Sequence, residues 1–175
     1  MSDIDFPEGL GHPHLEAPTP IRRHASPLSL LILGSLVAAA LLGAFGGNGL
    51  DRLEADGAGA RLAVETPATL RNGEFYEVRV AIVPKRPVTD LVFAVEPSLW
   101  RQTTQNSMLP AAAEESFSDG AFRFSYGPAD AGEERRIKMD FQINPSLLGN
   151  VAGTVSVLDG DSELASLPVT IEVRP

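Results

Sequence analysis

Between Arg61 and Val173, apolar residues recur at every second position in short runs parted by turn-forming residues. A β-strand points successive side chains to opposite faces, so this spacing gives each run one apolar face. Leu62 and Val64 share a phase in 61–66. Tyr76, Val78, Val80 and Ile82 do so in 74–83, and Leu91, Phe93 and Val95 in 89–95. Phe122, Phe124 and Tyr126 alternate with Arg123 and Ser125 in 121–126. Arg135, Ile137, Met139, Phe141 and Ile143 share a phase in 134–143, with the arginine at the edge. The last two runs, 151–158 and 162–173, flank Asp159-Gly160-Asp161. An Asp-Gly pair between alternating runs is a strong hairpin signal. Asn72-Gly73 and Asp119-Gly120 mark further turns. Pro84 and Pro87 end the second run, because proline cannot donate to a sheet ladder.

These seven runs occupy about 115 residues with no soluble helical pattern between them. One-faced strands with frequent turns predict two antiparallel sheets packed face to face. The expected fold is all-β, an antiparallel sandwich of about seven strands over 61–175. Gly132-Glu133-Glu134 precedes one run, and Asn144-Pro145 with Gly149 to Gly153 precedes the next. In this the domain resembles the immunoglobulin-like and fibronectin-type-III-like modules of bacterial membrane-anchored proteins. The resemblance implies an immunoglobulin-like sandwich placed outside the cytoplasm. It covers the domain alone, and with no cysteine in the chain the antibody-type disulfide is absent.

Ahead of the domain the chain changes character. Residues 1–26 hold Pro7, Pro13, Pro18 and Pro20 without apolar periodicity and read as a disordered tail. From Pro27 to Phe45 no residue is charged. As a helix this stretch would cover roughly 28 Å, close to the hydrocarbon thickness of a bilayer. A transmembrane helix is expected over 27–46, followed by a flexible linker over 47–60. Arg22 and Arg23 precede the span while Arg52 and Arg61 follow it, so the basic residues balance. The closeness of the Arg22–Arg23 pair favours a signal anchor with the N-terminus in the cytoplasm and the domain outside. This places the chain in a bacterial cytoplasmic membrane as a single-pass protein. The rival is a cleaved signal, since Arg22-Arg23, the apolar run and Ala38-Ala39-Ala40 resemble a twin-arginine signal. His24, Ala25, Ser26 and Pro27 depart from the apolar pair that such a signal carries.

The chemistry available to the domain is narrow. All three histidines, His12, His14 and His24, lie in the tail. A domain without His or Cys lacks the Ser-His-Asp and Cys-His sets and the imidazole or thiolate ligands of zinc and copper. Lys85 and Lys138 are the only lysines, one between prolines and one on a strand. Glu114-Glu115, Glu133-Glu134 and Asp159/Asp161 are paired carboxylates in turn-like, polar contexts, where nothing would raise one pKa for acid–base work. Asp159-Gly160-Asp161-Ser162-Glu163 departs from a calcium loop, which needs more ligands. His12-Pro13-His14 lacks a third fixed ligand. The formal charge of −9 argues against nucleic acid. No cofactor, no metal and no catalytic residue is expected.

Two features point to contacts. Ser35, Ala39, Gly43 and Gly47 recur every four residues, a small-residue stripe that lets another helix approach closely. Such a stripe suits a membrane partner and equally a homo-oligomer through the helix. Residues 96–113 form a long stretch without clear alternation that carries Leu99, Trp100, Met108 and Leu109. These four are the candidate partner surface, because long loops and Trp or Met side chains favour contacts. The competing reading makes Trp100 a plug at the end of the sandwich and gives the stretch a short edge strand. The expected function is a non-catalytic accessory protein presenting its sandwich to another membrane or envelope protein. An envelope glycan-binding or adhesive module is the alternative, weakened by one Trp and two Tyr. A calcium-dependent carboxylate enzyme is third.

Overall fold

A computed structural model describes Glu8, residues 26–44 and residues 49–175. The chain divides into two compact units, Met1–Phe45 and Gly46–Pro175. Apart from Glu8 and Ser26, the tail expected over 1–26 lies outside the described residues.

In the first unit, helix α1 runs over Pro27–Leu41, with Pro27 in the first turn, where its missing N–H has no partner to lose. The helix expected over 27–46 stops short for a local reason. Gly43 adopts φ 76°, and its N–H donates to the Ala40 carbonyl at 3.0 Å while the Ala44 N–H donates to Ala39 at 2.9 Å. This pair of bonds is a Schellman motif, which closes a helix on a left-handed glycine. The 15 residues of α1 cover roughly 22 Å, against a hydrocarbon core of about 30 Å. Among the described residues no helix is long and apolar enough to cross a membrane. No α1 side chain is buried. Leu28 and Leu31 are each 66 % exposed.

Among the described residues, the second unit contains eleven strands and one helical turn. Their order is β1 (Asp51–Asp56), β2 (Ala60–Thr66), β3 (Thr69–Arg71), β4 (Phe75–Pro84), β5 (Leu91–Val95), α2 (Pro97–Trp100), β6 (Thr103–Leu109), β7 (Glu114–Ser118), β8 (Ala121–Ser125), β9 (Arg135–Ile143), β10 (Gly149–Asp159) and β11 (Ser162–Arg174). One sheet has the order β1-β2-β4-β9-β6 and the other β3-β11-β10-β5-β8-β7. Every neighbouring pair is antiparallel except β3 with β11. The inner faces meet in one core. Leu62, Val64, Val80, Ile82, Met139 and Phe141 come from the first sheet, and Leu91, Phe93, Val95, Val157 and Ile171 from the second. Burying a side chain the size of Phe93 or Phe141 contributes roughly 2–3 kcal/mol.

The seven expected runs coincide with β2, β4, β5, β8, β9, β10 and β11. Four strands escaped the pattern, each for an identifiable reason. β1 and β7 are largely exposed and carry little apolar residue to alternate. β3 has three residues. β6 shifts register between Gln105 and Ser107, which breaks its period.

The expected linker over 47–60 is also corrected. β1 pairs with β2 along its whole length, from Asp51↔Thr66 to Asp56↔Arg61. The turn between them seats on β11, where the Gly59 N–H donates to the Leu164 carbonyl at 3.0 Å. A Cβ at Gly57 would lie 2.6 Å from the Ala165 Cβ, and one at Gly59 would lie 2.5 Å from Leu164 Cδ2. These glycines allow close backbone approach rather than flexibility. Gly57→Ala should therefore destabilise the sandwich by about 1–3 kcal/mol, the usual cost of overpacking. Chemical denaturation of the full chain in mild detergent would show it as a lower midpoint, and an unchanged midpoint would mean that the turn is a free linker.

Candidate functional site

The stretch 96–113, expected to be irregular, is folded into α2 and β6. Glu96 fixes α2 to β10. Its N–H donates to the Thr154 carbonyl at 3.0 Å, and its carboxylate accepts from the Thr154 N–H at 2.8 Å. Gly153 leaves room beneath, since a Cβ there would lie 2.9 Å from Leu99 Cγ. Leu99 is buried, and Trp100 is half-buried against the core. The indole stacks on Phe122 with ring centroids 5.5 Å apart. It also meets Phe124 at 5.3 Å and Phe141 at 5.5 Å. Phe124 and Phe141 belong to different sheets, so Trp100 bridges the two layers. Met108 is buried, and its sulfur accepts from the Tyr126 hydroxyl at 3.2 Å. Burial, with the charge of Glu115 nearby, pushes the Tyr126 phenol up to about 12.

Leu99, Trp100, Met108 and Leu109 therefore do not form one contact surface. Leu99 and Met108 are core residues, Trp100 closes the sandwich, and Leu109 alone is open, at 61 % exposure. β6 is the cause: as a strand it sends Met108 inward and Leu109 outward. The apolar residue that does reach solvent nearby is Phe117 of β7, which rests on Phe122 at 5.2 Å and is 59 % exposed. Nothing in Glu114-Glu115-Ser116-Phe117-Ser118 alternates strongly enough to have signalled it. Behind Trp100, a core cavity of about 30 Å³ is lined by Thr66, Tyr76, Phe93 and Met139 among others. It has room for water and not for an organic ligand.

The helical stripe is shortened too. Ser35 and Ala39 lie on α1, Gly43 sits in the closing turn rather than on the helix, and Gly47 lies outside the described residues.

The outer face of the first sheet holds a charged array that the sequence pattern did not show. Antiparallel register aligns Arg52, Glu65, Arg79, Lys138 and Leu109 in one row across all five strands. The next row aligns Glu54, Ala63, Ala81 and Arg136. The two alanines floor a shallow groove of about 500 Å³ rimmed by Arg52, Glu65, Arg79, Arg136, Lys138 and Leu109. Arg79 and Lys138 are like charges on paired positions, and Glu77 relieves them by bonding both. Its carboxylate meets Lys138 Nζ at 2.7 Å and also the Arg79 guanidinium. The Lys138 hydrogen bond, with Arg79 behind it, holds the Glu77 carboxyl below the ordinary 4.5. Asp140 is likewise lowered, first by the Ser107 hydroxyl at 2.5 Å and then by Lys138. Glu65 on the rim pairs in turn with Arg52 at 3.1 Å, so the acids of this face are engaged with neighbouring cations or hydroxyls.

Of the other carboxylate candidates, Glu114 and Glu115 lie exposed on β7, and the remaining two pairs serve the fold. Asp159 accepts from the Thr89 N–H at 2.8 Å and the Thr89 hydroxyl at 2.9 Å, and these bonds hold it below the usual carboxylate range. Asp161 pairs with Arg123 at 2.8 Å. Glu133 pairs with Arg135 and Glu134 with Arg136. Lys85 pairs with Asp56 at 2.7 Å. Among the described residues no group of three or more His, Asp or Glu could hold a metal ion. His12, His14 and His24 lie outside the described residues.

No protein-family model and no curated protein matches the chain. Solved structures with a similar course of chain exist at low identity. The CARDB domain of a Pyrococcus furiosus protein, crystallised with di-metal ions, is 11 % identical over 73 % of this chain and 95 % of that one, with a TM-score of 0.43. A non-cellulosomal cohesin from Archaeoglobus fulgidus is 11 % identical over 63 % and 88 %, with a TM-score of 0.40. CaCohA2 from Clostridium acetobutylicum is 18 % identical over 67 % and 92 %, with a TM-score of 0.44. These are distant likenesses, and neither the metals nor the binding partners of those proteins carry over to this chain.

Trp100→Ala should cost about 3 kcal/mol, because it removes the ring that spans both sheets. The intact protein should show blue-shifted tryptophan emission with weak acrylamide quenching, and a red-shifted, quenchable signal would place the indole in solvent. Glu77→Gln should cost about 0.5–1 kcal/mol at low salt, since Arg79 and Lys138 then face each other without relief. A lowered carboxyl pKa contributes stability that is present above the unfolded value and lost as pH falls through the folded one. The difference between wild type and Glu77→Gln should therefore be full above pH 4.5 and shrink below it. A difference that grows on acidification would contradict the assignment.

Proposed function

We propose that this chain is a single-pass, membrane-anchored and non-catalytic interaction protein of the bacterial cytoplasmic membrane, with its N-terminus inside and its sandwich outside. The observation that carries the reading is α1: fifteen uncharged residues with no side chain buried by the protein. An all-round apolar helix left uncovered in water loses the hydrophobic stabilisation that a bilayer or a partner would supply. The uncharged segment continues beyond α1 to Phe45. A hydrophobic stretch shorter than the bilayer core is accommodated by local thinning at modest cost.

The non-catalytic reading draws on the domain's chemistry. The sequence puts no histidine or cysteine in it. Two of its three carboxylate pairs are tied to arginine, hydroxyl or backbone donors, Glu114-Glu115 being the exception, and its outer face carries ion-paired rows suited to recognition rather than turnover. The partner is proposed to be another integral membrane or envelope protein. A sandwich this well saturated with internal ion pairs would bind through an edge or an apolar residue left open.

Carbonate washing followed by protease shaving of intact spheroplasts tests the anchor. The full-length chain should remain in the pellet, and the sandwich should be accessible from outside. Recovery in the supernatant of a soluble chain beginning near Leu41 would replace the anchor with a cleaved signal. A reporter fused after Pro175 and active only in the cytoplasm would reverse the orientation.

A further inference from the structure

Four strands end a sheet: β1 and β6 in the first, β3 and β7 in the second. An edge strand presents unpaired N–H and C=O groups and invites another strand unless it is short, charged, bulged or covered. Three of the four edges are guarded. β1 carries Arg52 and Asp56, both held in ion pairs. β3 has three residues, and β6 is broken between Gln105 and Ser107. β7 differs. It keeps an unbroken register with β8 from Glu114↔Ser125 to Ser118↔Ala121, and all five of its side chains are exposed. Phe117 stands open on it. Its other distinguishing residues are Glu114 and Glu115. Most acids in the domain have a cation or a hydrogen-bond donor, whereas these two, like the separate Asp51 and Asp130, have neither among the described residues, and only here do two such acids adjoin.

We propose that β7 is a strand-addition edge for an extended, basic segment of a partner protein. This rests on the interaction reading above and names its surface. The register gives the chemistry. Glu115 and Phe117 share the face of Phe124 and Phe122, while Glu114 and Ser116 share the opposite face with Ser125 and Arg123. An added antiparallel strand meets, in its own order, Ser118, Phe117, Ser116, Glu115 and Glu114. It would place an apolar residue beside Phe117 and two successive cations beside the glutamates, supplying the charges this edge lacks. A second copy of the chain fits less well. Antiparallel self-pairing about Ser116 sets Glu115 diagonal to its own copy, and parallel self-pairing sets each glutamate directly opposite itself; both juxtapose like charges.

The test uses the full chain in neutral detergent and two acetylated, amidated peptides, Thr-Val-Thr-Lys-Lys and Thr-Val-Thr-Glu-Glu. Amide hydrogen exchange and NMR titration locate the binding. The lysine peptide should slow exchange within 114–118, and the glutamate peptide should not. The double variant Glu114→Lys/Glu115→Lys should weaken the lysine peptide on the order of tenfold or more and invert the preference. Phe117→Ser should weaken it with little change in melting temperature, because the ring is mostly exposed. Protection at β1 or β6 would overturn the assignment to β7 and leave an interaction module standing. Binding unaffected by the charge reversal would also overturn it, as would the absence of protection at any edge. Concentration-dependent protection of 114–118 without peptide would identify a second copy as the occupant and overturn the basic partner.

Discussion

β4 pairs with β2 on one side and with β9 on the other, and this double register sets both surfaces of the first sheet at once. Side chains alternate along a strand, so placing Tyr76, Val80 and Ile82 inward obliges Glu77, Arg79 and Ala81 to point outward. A slip of one residue would bury Arg79 and expose Val80. The inward set packs on Phe93, Val95 and Val157 of the second sheet. The outward set meets Glu65 and Lys138, whose own positions follow from the same pairings. The core and the charged rows are therefore two consequences of one hydrogen-bonded ladder. The individual ion pairs are exposed and each is worth little; their arrangement reflects the register more than it enforces it.

The sides and tips of the sandwich are closed by separate devices. Trp100 fills the gap between the layers, presented by a single helical turn that Glu96 pins to β10. Asp159, at the end of β10, collects the backbone and hydroxyl of Thr89 and so secures the approach to β5. Arg123, with a side chain only 11 % exposed, reaches from β8 to the Gly160 carbonyl at 2.5 Å and to Asp119 at 3.1 Å. It links the β7–β8 turn to the β10–β11 turn. A charged side chain lying this deep needs such partners, because an unpaired buried guanidinium would be costly. The acids that looked like candidate chemistry, Asp159 and Asp161, are occupied in this way. On β7 an exposed aromatic ring and two acids without a cation stand together on one unbroken edge, which is why the edge and not the groove suggests a partner.

The two units answer to different physical demands. The sandwich buries most of its apolar residues internally and dresses its outer face with paired charge, as a domain in water does. Helix α1 satisfies its backbone through its own hydrogen bonds and the Schellman turn, while none of its leucines is buried among the described residues. Membrane insertion, as proposed, supplies what the protein itself leaves undone. The glycine that looked like a helix-packing position, Gly43, is required by the turn. Enlarging it would disturb the helix end before it disturbed any lateral contact.

Local pattern in the sequence was enough for the all-β class, seven of the strands, the apolar phases of five of them and the hairpin at Asp159-Gly160-Asp161, because each rests on alternation or turn chemistry that a single segment carries. The sequence also determined that the domain contains no histidine or cysteine. The rest depended on how the two sheets pack. β1, read as a linker, and β7, read as polar loop, become strands because a neighbour supplies their hydrogen bonds, and an edge strand needs no apolar face to be held. Leu99 and Met108 look alike with Leu109 in composition, yet two are buried and one is open. That separation depends on the irregular register of β6 against β9 and on the docking of α2 over Gly153. The meeting of Glu77 with Lys138, sixty-one positions apart in the chain, is likewise invisible to any window of sequence. Pairing partners are chosen by the global packing of two sheets, and that choice decides which exposed residues become neighbours.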